Sequence, residues 1–278
     1  MSRVAVTILT NGNRRGSLEK CVSLLLDRCR YRPLDIYILD NGSTDDTRDY
    51  LDSLPSDMYG IRWRLCLEDK DLGCAAGTNR LATMAREYEY VLHLESDFFH
   101  MKEEESGFGS MWLSEALDFM DQDRCDYLYL RRMKDEVEMS MHWWSKWARV
   151  INTRGKWMHC PGFWWSNNPH LRRNDEVFKS GVLPLNESKD GPKGTPGWSK
   201  PELEAGTPGR PGLTWIARWG MFLHETDSLG STACPKMKGC CKYGFAVRDE
   251  RFCSMCEEQK GFEDMREHER RYKCLVTG

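Results

Sequence analysis

The first hundred residues alternate between strand-like and helix-like segments, and this alternation limits the available folds more than any other feature of the chain. Apolar runs of strand length cover residues 3–9, 34–39, 61–67 and 90–94. Segments with helical spacing of apolar residues or rich in helix formers lie between them, at about 17–29, 43–54 and 73–87. Ser17 and either Ser43 or Thr44 are candidate N-caps of the first two helices. The order predicts an α/β fold of the Rossmann-like kind, with a mostly parallel sheet and helices on both faces.

Polar residues follow the strand-like runs, among them Asn11, Asp40, Asn41, Glu95 and Asp97. Ligands of open parallel sheets bind in the crevice at the carboxyl ends of the strands, which is where these side chains would lie. The run VLHLESD places two carboxylates at i and i+2 after a strand that looks buried. Such a pair either belongs to a solvated loop or holds Mg²⁺ or Mn²⁺, which take one or two carboxylates and add phosphate oxygens.

Composition gives no general support for nucleic-acid or membrane partners. The net charge of −3 provides no general basic field for nucleic acid or an anionic membrane. No apolar run approaches the roughly 20 residues of a membrane helix, and the N-terminus has no signal-peptide pattern. We therefore expect a soluble cytoplasmic protein without a membrane partner, in the host cytoplasm if the chain is viral, with its scattered cysteines reduced.

Four segments, in this order, carry a resemblance to a known family: VTILTNGNR (6–14), IYILDNGSTD (36–45), DLGCAAGTN (71–79) and VLHLESD (91–97). Together they resemble the nucleotide-sugar-dependent glycosyltransferases of the family-2 type, which have the GT-A fold. The clear resemblance covers about residues 3–100. It implies a catalytic domain over residues 1–228, with a nucleotide-binding half at about 1–100 and an acceptor half at about 101–228.

The resemblance also implies roles for single residues. Thr10, Asn11 and Arg14 would line the base and ribose pocket, Asp40 would accept hydrogen bonds from a uracil-like base, and Asn41 and Gly42 would shape the turn. Gly73 and Ala76 would let the backbone approach the nucleotide. Glu95, which stands where the family more often has Asp, would reach the ribose or the metal, and Asp97 would ligate Mn²⁺ or Mg²⁺.

Later segments complete the implied site. The segment GMFLH (220–224) resembles one by which some of these folds return a histidine to the metal, so His224 is either a third ligand or a surface residue. An acidic residue is expected to deprotonate the acceptor hydroxyl. Glu202 and Glu204 are both candidates, with Asp175 and Glu176 as a fallback. The alternative is that both glutamates merely begin a short helix after Pro201.

An aromatic and basic region lies in the acceptor half. Six of the eleven tryptophans fall between residues 143 and 165, where they would either stack on a sugar or fill the core. Arg172 and Arg173 would either border the donor diphosphate or lie on a solvated loop. Residues 186–212 are rich in Gly and Pro and read as a long loop.

The last fifty residues, 229–278, form a Cys-rich tail that resembles a zinc finger. Cys253, Cys256, His268 and Cys274 have the spacing Cys-x2-Cys-x11-His-x5-Cys, and such ligands favour tetrahedral Zn²⁺ with a structural role. The alternative is a set of reduced cysteines on an amphipathic helix. A finger raises DNA or RNA as a partner, although the near balance of charge in this tail also fits a structural module.

The leading hypothesis is a metal-dependent glycosyltransferase, most simply an inverting one. It would move a hexose or pentose from a UDP- or GDP-linked sugar to a hydroxyl of a glycan, a protein or a hydroxymethylated base in DNA. One alternative is a zinc-dependent nucleic-acid-binding protein whose glycosyltransferase-like domain is inert, which predicts salt-dependent DNA binding without turnover. The other is a nucleotidyltransferase, which would release pyrophosphate from a nucleoside triphosphate.

Overall fold

The computed structural model describes residues 3–10, 14–55, 57–123, 125–131, 152–159, 169–174, 214–217 and 220–225. Its helices are α1 (Arg15–Arg28), α2 (Thr47–Asp52), α3 (Cys74–Met84), α4 (Glu103–Ser106) and α5 (Trp112–Gln122). Its strands are β1 (Val4–Thr10), β2 (Leu34–Asn41), β3 (Asp57–Met58), β4 (Ile61–Glu68), β5 (Tyr90–Glu95), β6 (Phe98–His100), β7 (Tyr127–Tyr129), β8 (Asn152–Arg154), β9 (Trp157–His159), β10 (His170–Arg173), β11 (Thr214–Ala217) and β12 (Phe222–His224). None of the described helices is long and apolar enough to cross a membrane.

The nucleotide-binding half is built on four parallel strands in the order β4-β2-β1-β5. The chain moves outward from β1 to β2 and β4, and then returns to pair β5 with the other side of β1. This reversal makes the gap between β1 and β5 the topological switch point, where ligands bind in such sheets. The predicted parallel α/β sheet is therefore confirmed in this half.

The second half extends the same sheet with mixed strands. β10 is antiparallel to both β5 and β7, whereas β11 is parallel to β7 and antiparallel to β9. A separate two-stranded sheet joins β12 to β6. Since β6 begins directly after Asp97, this small sheet brings the residues of β12 back to the end of β5.

Both faces of the central strands are covered, as their nearly continuous apolar sequences require. One face packs against α1 through residues such as Ile8 and Leu92, which belong to the same core as Leu18 and Leu25. The other face packs against α3, where Leu81 meets the leucines of β1 and β2. Full burial of each such side chain contributes about 1.5–3 kcal/mol, so the two faces fix the strand ends relative to each other.

Two predicted helix caps are wrong, because other contacts take their place. α1 begins at Arg15 with Arg14 as its N-cap, because the hydroxyl of Ser17 donates instead to the carboxylate of Glu225. α2 begins only at Thr47, where Asp45 accepts hydrogen bonds from the Thr47 backbone N–H at 3.1 Å and from its hydroxyl. A carboxylate two residues before the helix thus provides the contact predicted for Ser43 or Thr44.

The aromatic and basic region is partly resolved by the structure. Trp157 is buried and packs on Phe108 and Phe119, with ring centroids 4.9 and 5.2 Å away, so the core interpretation is confirmed for this tryptophan. Trp143, Trp144, Trp147, Trp164 and Trp165 lie outside the described residues. The loop interpretation of the two arginines is wrong, because both lie on strand β10. Arg172 is buried, and Arg173 pairs with Tyr90 at the amino end of β5, the end farther from Asp97. A contact of either arginine with a donor diphosphate stays a prediction.

Two buried histidines make the fold sensitive to acid. Burial lowers the pKa of His93 to about 3 and that of His100 to about 4, helped by the charge of Arg172 at His93 and of Arg28 at His100. In the unfolded chain both titrate near 6.5, so below that pH the unfolded state binds protons that the folded state excludes. Stability is therefore expected to fall by about 1.4 kcal/mol per pH unit for each histidine.

Urea unfolding of the wild type and of His93→Gln at about pH 7.5 and pH 5 tests this expectation. Between those two conditions the variant should lose about 2 kcal/mol less than the wild type, because one acid-sensitive group is gone. Equal losses in the two proteins would contradict the assignment of the acid sensitivity to this histidine.

Candidate functional site

The carboxyl ends of β1, β2 and β5 form a polar edge at the switch point. Thr10 ends β1, Asp40 and Asn41 end β2, and Asp97 follows β5. All four residues are at most 9% exposed. Among the described residues, the buried hydroxyl of Thr10 and the Oδ1 atom of Asp97 have no hydrogen-bond partner. Buried polar atoms are nearly always satisfied in folded proteins, so this edge is suited to a polar or ionic ligand.

Asp97 is the centre of a compact charged group. Its Oδ2 atom accepts a hydrogen bond from Nη1 of Arg14 and lies 3.3 Å from Nε2 of His224. The pairing of β12 with β6 positions His224, and the backbone N–H of Glu225 donates to the Asp97 carbonyl at 2.7 Å. Two residues 127 positions apart in sequence thus meet at the end of β5, as the resemblance implied; their role as metal ligands stays a prediction.

The charge of Asp97 is maintained in spite of its burial. Burial by itself raises the pKa of this carboxyl, but the hydrogen bond and charge of His224 and the charge of Arg14 outweigh it and hold the pKa below its usual range. The carboxylate is therefore ionised at neutral pH. An ionised oxygen with an open coordination position is the ligand that a hard divalent cation requires.

Asp40, near the end of β2, is held by the residues that follow it. Its Oδ1 atom accepts from the backbone N–H of Ser43 at 3.3 Å, and its Oδ2 atom lies 3.3 Å from Nε of Arg48. Arg48 also donates to the carbonyl of Glu68 and pairs with Asp69 at 3.6 Å. Sequence reasoning missed Arg48, because nothing in the segment STDDTR indicates that this arginine of α2 reaches back to Asp40 near the end of β2.

Asn41 ties the end of β2 to the loop before α3. Its side-chain Nδ2 donates to Oδ1 of Asp71 at 2.8 Å, and its side-chain Oδ1 accepts from the backbone N–H of Leu72 at 2.8 Å. The same Asp71 atom accepts from the backbone N–H of Gly73 at 2.7 Å. The resemblance implies no role for Asp71 of the segment DLG, and the structure shows that it fixes this loop.

Gly42 and Gly73 both have backbone conformations that favour glycine, with φ of +75° and +81°. A Cβ on Gly42 would lie 2.5 Å from backbone atoms of Lys70 and Asp71. This glycine therefore allows the turn after β2 to touch the loop before α3. Ala76, in the first turn of α3, is half-buried.

Glu95 is oriented towards the start of α3. Its Oε1 atom accepts from the Cys74 thiol at 3.6 Å, and its backbone pairs with Leu9 at the last position of the β1–β5 ladder. Within the described part of the chain, no three side chains of His, Cys, Asp or Glu converge as a metal-binding group. Of the predicted metal ligands, the structure brings Asp97 and His224 together, and Glu95 ends β5 two residues before Asp97.

Several predicted residues lie outside the described part of the chain. These are Asn11, the candidate bases Glu202 and Glu204, the fallback pair Asp175 and Glu176, and the tail residues Cys253, Cys256, His268 and Cys274. Their roles stay predictions.

Comparisons with known proteins agree with the observed fold. The profile named Glycosyl transferase family 2 matches residues 7–182. A search of curated proteins found no match. Among solved structures, residues 1–349 of S. aureus TarS align with 80% of this chain at 16% identity and a TM-score of 0.54, and the chain covers 60% of that structure.

Two further solved structures share the fold and contain ligands. TarS in complex with UDP-GlcNAc aligns with 79% of this chain at 17% identity and a TM-score of 0.50, with 57% of that structure covered. GalNAc-T7 with UDP, GalNAc and Mn²⁺ aligns with 80% of this chain at 12% identity and a TM-score of 0.57, with 43% covered. At such low identity these likenesses show the fold alone.

Proposed function

The chain belongs to glycosyl transferase family 2, and on that premise we propose that it transfers a sugar from a nucleotide diphosphate-sugar to an acceptor hydroxyl with the help of a divalent cation. The observation that carries the proposal is the pairing of Asp97 with His224 at the switch point between β1 and β5. Both residues follow from the resemblance, and the fold brings them together at the edge where nucleotides bind in open α/β sheets.

The residues present fit Mn²⁺ or Mg²⁺. Asp97 offers a buried oxygen with no hydrogen-bond partner among the described residues, and His224 offers a ring nitrogen 3.3 Å from the same carboxylate. These two side chains would hold the cation, and the donor's phosphates would complete its coordination. When bound, the cation would neutralise the charge that develops on the leaving diphosphate.

The nucleoside would occupy the part of the crevice between β1 and β2. Asp40 would accept a hydrogen bond from the base, and Arg48 and Ser43 keep its carboxylate in place. Thr10 contributes a hydroxyl, and the loop fixed by Asn41 gives the nucleotide a rigid wall. Rigid positioning of this kind lowers the entropic cost of reaching the reactive geometry.

In the proposed reaction, the acceptor oxygen attacks the anomeric carbon of the sugar as the bond to the diphosphate breaks. The hydroxyl proton goes to Glu202 or Glu204, and the nucleoside diphosphate leaves with the bonding electron pair. Attack from the face opposite the leaving group inverts the anomeric configuration. The acceptor is a glycan, a protein or a hydroxymethylated base in DNA.

The Cys-rich tail is proposed to be a separate structural zinc module over residues 229–278. Cys253, Cys256, His268 and Cys274 would be its ligands, and their spacing in the sequence is the support. One equivalent of zinc in the purified protein, lost in Cys253→Ser, would agree with the module; a chain without zinc would contradict it.

A screen of nucleotide sugars with Mn²⁺ tests the proposed function. We expect one UDP- or GDP-linked sugar to raise the melting temperature, and its nucleoside diphosphate to be released once an acceptor is added. A mass gain on hydroxymethylated DNA or on a glycan would identify the acceptor. Release of pyrophosphate from a nucleoside triphosphate would favour a nucleotidyltransferase instead, and salt-dependent DNA binding with no donor binding would favour an inert domain.

A further inference from the structure

The negative charge of Asp97 is balanced through only one of its two carboxylate oxygens. Its Oδ2 atom contacts both Arg14 and His224, whereas Oδ1 is buried and has no hydrogen-bond partner among the described residues. A buried carboxylate is stable only if its charge is balanced, and the guanidinium of Arg14 provides a positive charge beside it. Arg14 thus provides, in this structure, the positive charge that a cation would bring to the site.

We propose that Arg14 is an exchangeable counter-ion of Asp97. It neutralises the carboxylate while the crevice is empty, and it moves onto the diphosphate of the donor when a divalent cation takes over the carboxylate. This inference rests on the proposed function, because it requires a nucleotide diphosphate and a cation in one crevice. It gives Arg14 a different role from the base and ribose contact that the resemblance implied.

The backbone and the side chain of Arg14 differ in how firmly they are held. Its carbonyl accepts the backbone N–H of Leu18 at 2.9 Å, which fixes the residue at the start of α1. Its side chain is 45% exposed, whereas that of Asp97 is 12% exposed. A long and half-exposed guanidinium can change partner without moving the helix, and phosphate oxygens match its planar set of donors.

The rest of the site does not depend on this contact. The backbone N–H of Glu225 donates to the carbonyl of Asp97, and the carboxylate of Glu225 accepts from the Ser17 hydroxyl at 2.9 and 3.0 Å. These contacts join the end of β5 to β12 and α1. Arg14 is therefore the partner of Asp97 that can leave while His224 stays in place.

The exchange couples the two ligands. Without nucleotide, a divalent cation must displace Arg14 from Asp97 or share the carboxylate with another positive charge. With a diphosphate present, the guanidinium has an anionic partner to move to, and the carboxylate is released. Each ligand should then tighten the binding of the other, by the same factor in both directions.

A titration with Mn²⁺ tests the proposal, with the free ion measured by electron paramagnetic resonance. The wild type and Arg14→Met are each titrated without nucleotide and in the presence of UDP or GDP. Arg14→Met should bind Mn²⁺ alone about five- to tenfold more tightly than the wild type, as expected for a typical coupling between sites. The factor by which the nucleotide tightens Mn²⁺ binding should fall by a similar amount in the variant. Arg14→Lys, which keeps the charge, should resemble the wild type.

Arg15→Met is the matched control, because Arg15 pairs with Asp46 and Glu19 rather than with Asp97. It should bind Mn²⁺ as the wild type does. If Arg14→Met binds Mn²⁺ no more tightly than Arg15→Met, the proposal is overturned. Failure of the proposed function would show separately, as a wild-type protein that binds no nucleotide sugar, and the comparison with Mn²⁺ alone would still decide the role of Arg14.

Discussion

Replacing Asp97 with asparagine is expected to reduce sugar transfer by at least about a thousandfold, which corresponds to about 4 kcal/mol of lost transition-state stabilisation. Asparagine keeps the size of the side chain but removes the charge that would hold the cation against the leaving diphosphate. Initial rates with the donor identified by the screen, at saturating Mn²⁺, provide the measurement. Mn²⁺ affinity in the presence of nucleotide should fall as well.

The fold should survive this change. The partners of Asp97 can return to water, since the side chain of Arg14 is 45% exposed and that of His224 is 24% exposed. The ion pair with a half-exposed arginine contributes at most about 1 kcal/mol, and removal of a buried charge offsets part of that loss. The free energy of unfolding of Asp97→Asn should therefore stay within about 1 kcal/mol of the wild type.

Asp121→Asn is the control for the loss of a paired carboxylate. Asp121 likewise pairs with an arginine, Arg3, and accepts from the hydroxyl of Tyr90. It lies on α5, near the amino ends of β1 and β5 and away from Asp97. It should retain full transfer activity. If Asp97→Asn kept more than a tenth of the wild-type rate, the carboxylate would not be a ligand of the catalytic cation.

The strand ends of the nucleotide-binding half could be predicted because local patterns determine them. Asp40 and Asp97 each follow an apolar run, and the strand–helix order places such ends at one edge of the sheet. The contact between Asp97 and His224 needed the family resemblance, because it depends on the small antiparallel sheet of β6 and β12. No local periodicity encodes the pairing of two three-residue strands so far apart in sequence.

Other features of the site depend on contacts that have no sequence signal. Arg14 and Arg48 are ordinary arginines in polar segments, and only the packed fold shows that they reach Asp97 and Asp40. The cap of α1 is wrong in the sequence prediction for the same reason, since Ser17 forms its hydrogen bond with Glu225 across the molecule. Local rules describe what a side chain can do, but tertiary contacts decide which of the available partners it takes.

Replacing Gly42 with alanine is expected to cost about 3 kcal/mol of stability or more and to weaken donor binding at least about tenfold. Part of the cost is conformational, because a positive φ of 75° is unfavourable for alanine. The larger part is steric, since the new Cβ would lie 2.5 Å from the backbone of Lys70 and Asp71, which cannot yield as a side-chain end can. Moving that loop would break the hydrogen bonds of Asn41 to Asp71 and Leu72.

Gly60→Ala separates the two causes. Gly60 has nearly the same φ, +79°, but a Cβ there would meet only the Arg32 side chain at 3.8 Å, so the conformational cost of about 1 kcal/mol should be the whole effect. Urea unfolding of both variants and calorimetric titration with nucleotide and Mn²⁺ give the comparison. Equal destabilisation of the two would mean that the loop before α3 yields freely. In that case the close contact at Gly42 would not be what keeps the wall of the nucleotide crevice rigid.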